Sequence, residues 1–384
     1  MKRKRILTGT HRRPILALNK GTSTRNDNSD FPFQFSKLSQ EDIHSISNIP
    51  TEEEIKDIVF SIDKDSVAGR LISDNILIAQ EIIHHLDLRY KNNNLVIKLD
   101  MSKAYDRVNW NFLLSIMEKM GFPTRFLTLI KHAVQNCWFT VLVNRETGFS
   151  KSTSGLRQDD LISPAIFIIV ADALSKGIDH LFNGNPDMYF QTKCEVKISH
   201  LSYVDDVILF TNCKEAGPIR LMNFLRNFKK QSGQQINQAK SAFIPGRKAN
   251  LIANRIKNIT GFSMKALPIT YLGAPLYKGN KRKVLYENLI DKVRNRISGW
   301  NTALSYGGRL QLIKTALSSM PIYLLQVLNP PVSTIQKLKR LFAKFFWGST
   351  TEQRKIHWTK WHTVCYPTEE GGLALETFGH GNCI

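Results

Sequence analysis

Residues 197–211 read KISHLSYVDDVILFT, and this stretch decides how the rest of the chain is understood. Apolar, aromatic and β-branched residues flank Asp205-Asp206 on both sides, the mark of two strands joined by a tight turn. Side chains alternate faces along a strand, so one of two consecutive acids should point to the core unless the pair occupies the turn. A carboxylate pressed against apolar surface needs a counter-charge. A second apolar strand, LVIKLDM (95–101), also carries an acid, Asp100. Alone, Asp100 reads as a strand cap or a solvated turn. Two acid-bearing strands together suit Mg²⁺, which takes a few carboxylates along with substrate phosphates. A pair of such ions about 4 Å apart promotes in-line displacement at phosphorus. Spacing alone leaves polymerase and nuclease chemistry both open.

Outward from these strands, short helices and strands alternate. Residues 71–90 have apolar side chains at helical spacing, and Asn92-Asn93-Asn94 breaks them before the strand at 95. Helices are expected over 109–120 and 125–135, separated by Gly121-Phe122-Pro123, followed by a strand over 137–144. The apolar run 163–182 reads as a helix with Ser163 as cap and Pro164 as first residue. A basic amphipathic helix is expected over 221–232. Upstream, Pro50-Thr51-Glu52-Glu53-Glu54 reads as a helix start, with Thr51 as N-cap and an acidic first turn. Past Tyr271-Leu272-Gly273 the chain becomes mostly helical (284–300, 308–320, 332–347). The order suggests an α+β sheet with helices packed on one face, and a domain boundary near 275.

Charge narrows the choice of partner. Lys and Arg number 53 against 32 Asp and Glu, a formal net charge of +21. From Lys240 onward, 22 basic residues stand against 6 acidic ones, so the surplus is concentrated in the helical third. Such a balance points to a polyanion and suggests a nucleic-acid clamp attached to something else. A simply basic, ribosomal-type protein is the alternative on charge alone. Five Cys are dispersed with no C-x-x-C pair, which argues for a reducing compartment rather than a disulfide framework. Cys365 and Cys383 lie near His357, His362 and His380, but their spacing matches no compact zinc finger. No stretch has the length and apolarity of a transmembrane helix or signal core, so no membrane partner is expected. The start Met1-Lys2-Arg3-Lys4-Arg5 is a basic cluster of nuclear-address type, with a cytoplasmic location as the alternative.

Five segments, IKLDMSKAYDRVNW (97–110), GLRQDDLISPAIF (155–167), SYVDDVILF (202–210), SGQQINQAKSAF (232–243) and YLGAPL (271–276), occur in an order that resembles reverse transcriptases. Residues 305–323 and 345–373 resemble the region after the palm in plant non-LTR (LINE-type) retrotransposons. The resemblance covers about residues 47–376 and implies a right-hand polymerase. Its divisions would be a polar N-terminus (1–48), remnants of the fingers (49–92), an antiparallel α+β palm (93–275) and a basic, helical thumb-like region (276–384).

Residue by residue, it implies that Asp100, Asp205 and Asp206 hold two Mg²⁺ (or Mn²⁺) ions. Tyr105 would stack under the incoming sugar and exclude a 2′-hydroxyl. Arg157 and Gln158 would touch template and incoming nucleotide, and Lys240 would protonate departing pyrophosphate. Tyr271, Leu272 and Gly273 would grip the primer end. The implied partners are an RNA template, a DNA primer and a dNTP; the implied reaction is RNA-directed DNA synthesis.

The pattern departs at two places that bear on activity. Where the family reads R-Q-G-D-P-L-S-P, this chain has Asp159 for the glycine and Leu161 for the proline. Asp159 adds bulk and negative charge where glycine permits close approach to a triphosphate. Segments that the family separates by a long fingers region also abut here at Gly69-Arg70. An impaired or inactive polymerase is therefore expected, with a non-catalytic nucleic-acid-binding remnant or a non-functional retroelement relic as the alternatives.

Overall fold

Strand β1 (Asn94–Asp100) is the middle of the architecture and the piece everything else is hung on. In the computed structural model the described residues are 32–40, 42–43 and 72–375. Short breaks fall at 89–92, 137, 144–145, 159, 161, 194–196, 248–249, 281–282, 301–303, 329 and 349–354. The helix start at Thr51, the Gly69-Arg70 junction, Asp159, Leu161, Cys383 and His380 lie outside them.

Helix α1 (Ile72–His84) precedes β1, and α2 (Trp110–Lys119) and α3 (Thr124–Gln135) follow it. The Asn109 side chain caps α2, accepting from the backbone N–H groups of Asn111 and Phe112 at 2.9 and 3.3 Å. A separate hairpin, β2 (Trp138–Val143) with β3 (Glu146–Lys151), leads to α4 (Ser163–Asn183). Ser163 is the first helical residue rather than the cap, and its hydroxyl donates to Asp160 Oδ2 at 2.8 Å. Next come β4 (His200–Tyr203), β5 (Asp206–Asn212), α5 (Ala216–Ser232) and β6 (Ala242–Pro245). Helix α6 (Asn250–Thr260) and the short β7 (Ser263–Met264) then lead to the hairpin β8 (Ile269–Tyr271)–β9 (Ala274–Leu276). The helical remainder comprises α7 (Glu287–Ser298), α8 (Tyr306–Leu312), α9 (Ser319–Val327) and α10 (Val332–Trp347). A single π-turn, Ile313–Leu317, links α8 to α9.

The main sheet has the order β4-β5-β1-β6-β7, antiparallel except for the β6–β7 pair. Its two faces are sorted by the alternation of side chains. The row Ile97–Leu209–His200 faces α4, where Ser175 Oγ and His200 Nε2 are hydrogen-bonded at 2.6 Å. Helices α4 and α5 cover this face, and α2 packs against both of them. Val96, Leu201, Ile208, Phe210 and Ile244 alternate to the other face and are buried. There they join α1, the β8–β9 hairpin and the later helices in a single apolar cluster running from Ile76 to Leu375. That face is covered away from the β4–β5 turn, whose residues Val204 and Asp205 stay exposed. The α+β palm with a helical thumb-like region is the architecture present, with a second covered face in addition. The described residues from Phe35 onward pack as one unit.

Candidate active site

The acids meet because of strand register. In the β1–β5 ladder Asp100 lies directly opposite Asp206, and β5 pairs Asp206 with Tyr203 of β4. Val204 and Asp205 are thus the two central residues of a hairpin turn. Val204 has φ +53°, a left-handed conformation that such turns normally give to glycine and that strains a β-branched residue by roughly 1–3 kcal/mol. The turn is pinned to the neighbouring strand, since Met101 N–H donates to Asp205 O at 3.1 Å.

Like charges directly across a sheet repel one another, and two lysines answer this repulsion. Lys98 Nζ lies 3.0 Å from Asp206 Oδ1 and also donates to Thr270 O at 3.1 Å. Lys240 Nζ lies 3.8 Å from Asp100 Oδ2. Burial pushes the Asp205 carboxyl above its usual range, and the charges of Asp206 and Asp100 push it further, against the pull of Lys240. Among the described residues no three acidic, His or Cys side chains are already gathered as a metal cage. The donor chemistry nonetheless fits a divalent cation. Three hard oxygen donors share one sheet end, and their mutual repulsion is what such an ion relieves.

That repulsion sets a pH dependence. A carboxyl raised in the folded state contributes stability below its ordinary value of 3.8, and loses that contribution as pH rises through the raised value. Asp205→Asn is therefore expected to melt at a higher temperature than the parent at pH 7, with the gap closing toward pH 3. A circular-dichroism melt showing an equal or lower midpoint for the variant at pH 7 would contradict the arrangement.

Tyr105 opens a 3-10 turn, Tyr105–Arg107, just past β1. Its ring stacks on Phe167 of α4 at 4.6 Å, and burial together with the Asp205 charge raises its hydroxyl pKa. The turn is gripped from two sides by glycines with positive φ. A Cβ on Gly155 would stand 2.6 Å from Asp106 O, and one on Gly233 would stand 2.3 Å from Arg107 O. Leu156 N–H donates to Tyr105 O at 2.8 Å, and Trp110 Nε1 donates to Gly155 O at 2.7 Å. Gln158 Nε2 donates to Asp106 Oδ1 at 3.2 Å, while Arg157 beside it is exposed. In the β8–β9 hairpin Leu272 and Gly273 both have positive φ. The Tyr271 ring is fully buried, so only the Leu272–Gly273 turn is presented for contact.

A family described as reverse transcriptase (RNA-dependent DNA polymerase) matches residues 32–276, well over half of the sequence. The chain belongs to the reverse transcriptase family. Among curated proteins, it is 39% identical over 102 residues to a putative ribonuclease H protein of Arabidopsis thaliana, covering 26% of this chain and 16% of that one. It is 24% identical over 319 residues to an uncharacterized 149 kDa protein of transposon TX1 from Xenopus laevis, covering 81% and 23%. It is also 25% identical over 318 residues to a retrovirus-related Pol polyprotein from the type-1 retrotransposable element R2 of Popillia japonica, covering 78% and 49%. The chain thus spans at most about half the length of these relatives.

The reverse transcriptase motifs bring Asp100, Asp205, Asp206, Tyr105 and Lys240 to one end of the sheet. Lys98 was missed as a site residue, although it stands two positions before Asp100 and period-2 alternation puts it on the same face. Gly155 and Gly233 stand inside two of the quoted motifs, but nothing local to them signals their grip on residues 105–107. Cys365 is buried and its thiol is pushed up by burial; of its suggested partners, Cys383 and His380 lie outside the described residues, and His357 and His362 belong to no metal-holding group among the described ones.

Proposed function

We propose that this chain carries the palm of an RNA-directed DNA polymerase from a plant non-LTR retrotransposon, shortened in its fingers. The supporting observation is the register that sets Asp100 opposite Asp206 with Asp205 on the adjoining turn. These three carboxylates would hold two Mg²⁺ ions. Bound there, the ions would activate a primer 3′-hydroxyl and offset charge on the departing pyrophosphate. The chain's own groups do the rest. Tyr105, stiffened by Phe167, would form the floor beneath a deoxyribose. Lys240, beside Asp100, would donate a proton to the leaving group. Gln158 and Arg157 would touch template and dNTP. The Leu272–Gly273 turn would steady the primer end, and the basic helices beyond it would ride phosphates, releasing counterions.

A second reading is favoured by Asp159 and by the Gly69-Arg70 junction. On that reading the chain binds RNA or DNA, in the nucleus, without performing the chemistry.

Primer extension on an RNA template with Mg²⁺ or Mn²⁺ separates the two. Incorporation by the parent that falls at least about 10³-fold in Asp205→Ala/Asp206→Ala supports the polymerase. Restoring Asp159→Gly and Leu161→Pro should raise that incorporation. No incorporation from a folded sample, with salt-dependent binding that ignores the aspartate changes, supports the binding remnant.

A further inference from the structure

On the flank of the sheet, α5, the 233–240 loop and the C-terminal end of α6 line a half-open cavity of about 580 Å³. That volume is in the range of small-ligand sites. Its lining is unusual in charge. Arg226 and Lys229, one turn apart on the exposed face of α5, are its ionic groups, and none of its lining residues is acidic. Three amide residues are among its lining, Asn237 and Gln238 from the loop and Asn258 from α6. The buried apolar residues Leu225 and Phe262 also line it.

Cations hold phosphate, amides read the donor and acceptor edge of a base, and apolar side chains accept a base face. We propose that this cavity binds a nucleotide, either free or as one unit of a single strand. Arg226 and Lys229 take the phosphate, and the amides take the base. The site does not depend on the carboxylates holding metal. It is nonetheless wired to them, because Asn237 N–H donates to Asp100 O at 2.8 Å and Ser102 N–H donates to Gln235 O at 2.7 Å. An occupant therefore bears on the loop that also carries Lys240.

Fluorescence anisotropy in EDTA tests the site with metal chemistry silenced, so its outcome is independent of whether the chain polymerises. The probes are a labelled ten-nucleotide single-stranded RNA and labelled deoxyadenosine monophosphate, each titrated with the full chain. Arg226→Glu/Lys229→Glu removes the charge, and Asn258→Trp fills the space without changing charge. Lys230→Glu, exposed on α5 outside the cavity, is the electrostatic control. Both cavity variants are expected to weaken binding about tenfold or more, with an unchanged thermal melt, and the control less than about twofold. Losing the phosphate contact should also lower the salt slope for RNA by about 0.7. Loss for both probes, or for the monophosphate alone, assigns a free-nucleotide site; loss for RNA alone assigns one unit of a strand. The proposal is overturned if Asn258→Trp binds both probes as the parent does, or if Lys230→Glu weakens them as much as the cavity pair.

Discussion

Gly155→Ala is expected to destabilise the fold by about 3–5 kcal/mol and to loosen the Tyr105 turn. The added Cβ would meet Asp106 O at 2.6 Å and Asp106 C at 2.8 Å, both backbone atoms with no rotamer to yield. The residue also has φ +90°, which alanine adopts only with strain. Moving the segment aside would stretch the Leu156–Tyr105 and Gly155–Val108 backbone bonds of 2.8 and 2.9 Å. Gly121→Ala isolates the backbone part, because its φ is +89° yet nothing lies within 4 Å of its Cβ. That variant should lose only about 1 kcal/mol. Urea denaturation of the pair decides it; equal losses would show that the close approach costs nothing.

Phe342→Ala is expected to lose about 3–5 kcal/mol, the usual penalty for truncating a buried aromatic side chain. Phe342 is 2% exposed on α10 and sits in the cluster that also holds Val96, Ile208 and Phe210 of the sheet. Because the core is shared, far-ultraviolet dichroism and tryptophan fluorescence should report one lowered, coincident transition. Two transitions, with the sheet melting where it does in the parent, would mean that the helices after residue 275 and the sheet are stabilised independently.

Much of the fold was legible because its elements have strong local periods. The strand over 95–101, the hairpin broken at Asp205-Asp206, and the helices near 109–120 and 163–182 are found within a residue or two of where the apolar pattern puts them. Helix ends were less legible. The amphipathic helix begun at Leu221 starts at Ala216, and the one expected over 308–320 continues through a π-turn to Val327. Contacts without local periodicity were out of reach. The parallel β6–β7 pair forms on the outer edge of β6, which exists only once β6 has taken the edge of β1 that β5 leaves free. The glycine grip on residues 105–107 depends on segments about 50 and 130 positions away. The acids themselves were legible as types and as motif positions. The lysine partners of Asp206 and Asp100 were visible only once faces had been assigned.

The position of β1 has a consequence for synthesis of the chain. Its two ladder partners, β5 and β6, come roughly 110 and 150 residues later in the chain. A growing polypeptide therefore carries Asp100 out of the ribosome long before its cross-strand acid exists. The apolar faces of β1 must wait, uncovered, for residues up to Pro245. Any product ended before that point would display an unpaired hydrophobic strand, an invitation to aggregation or to chaperone capture.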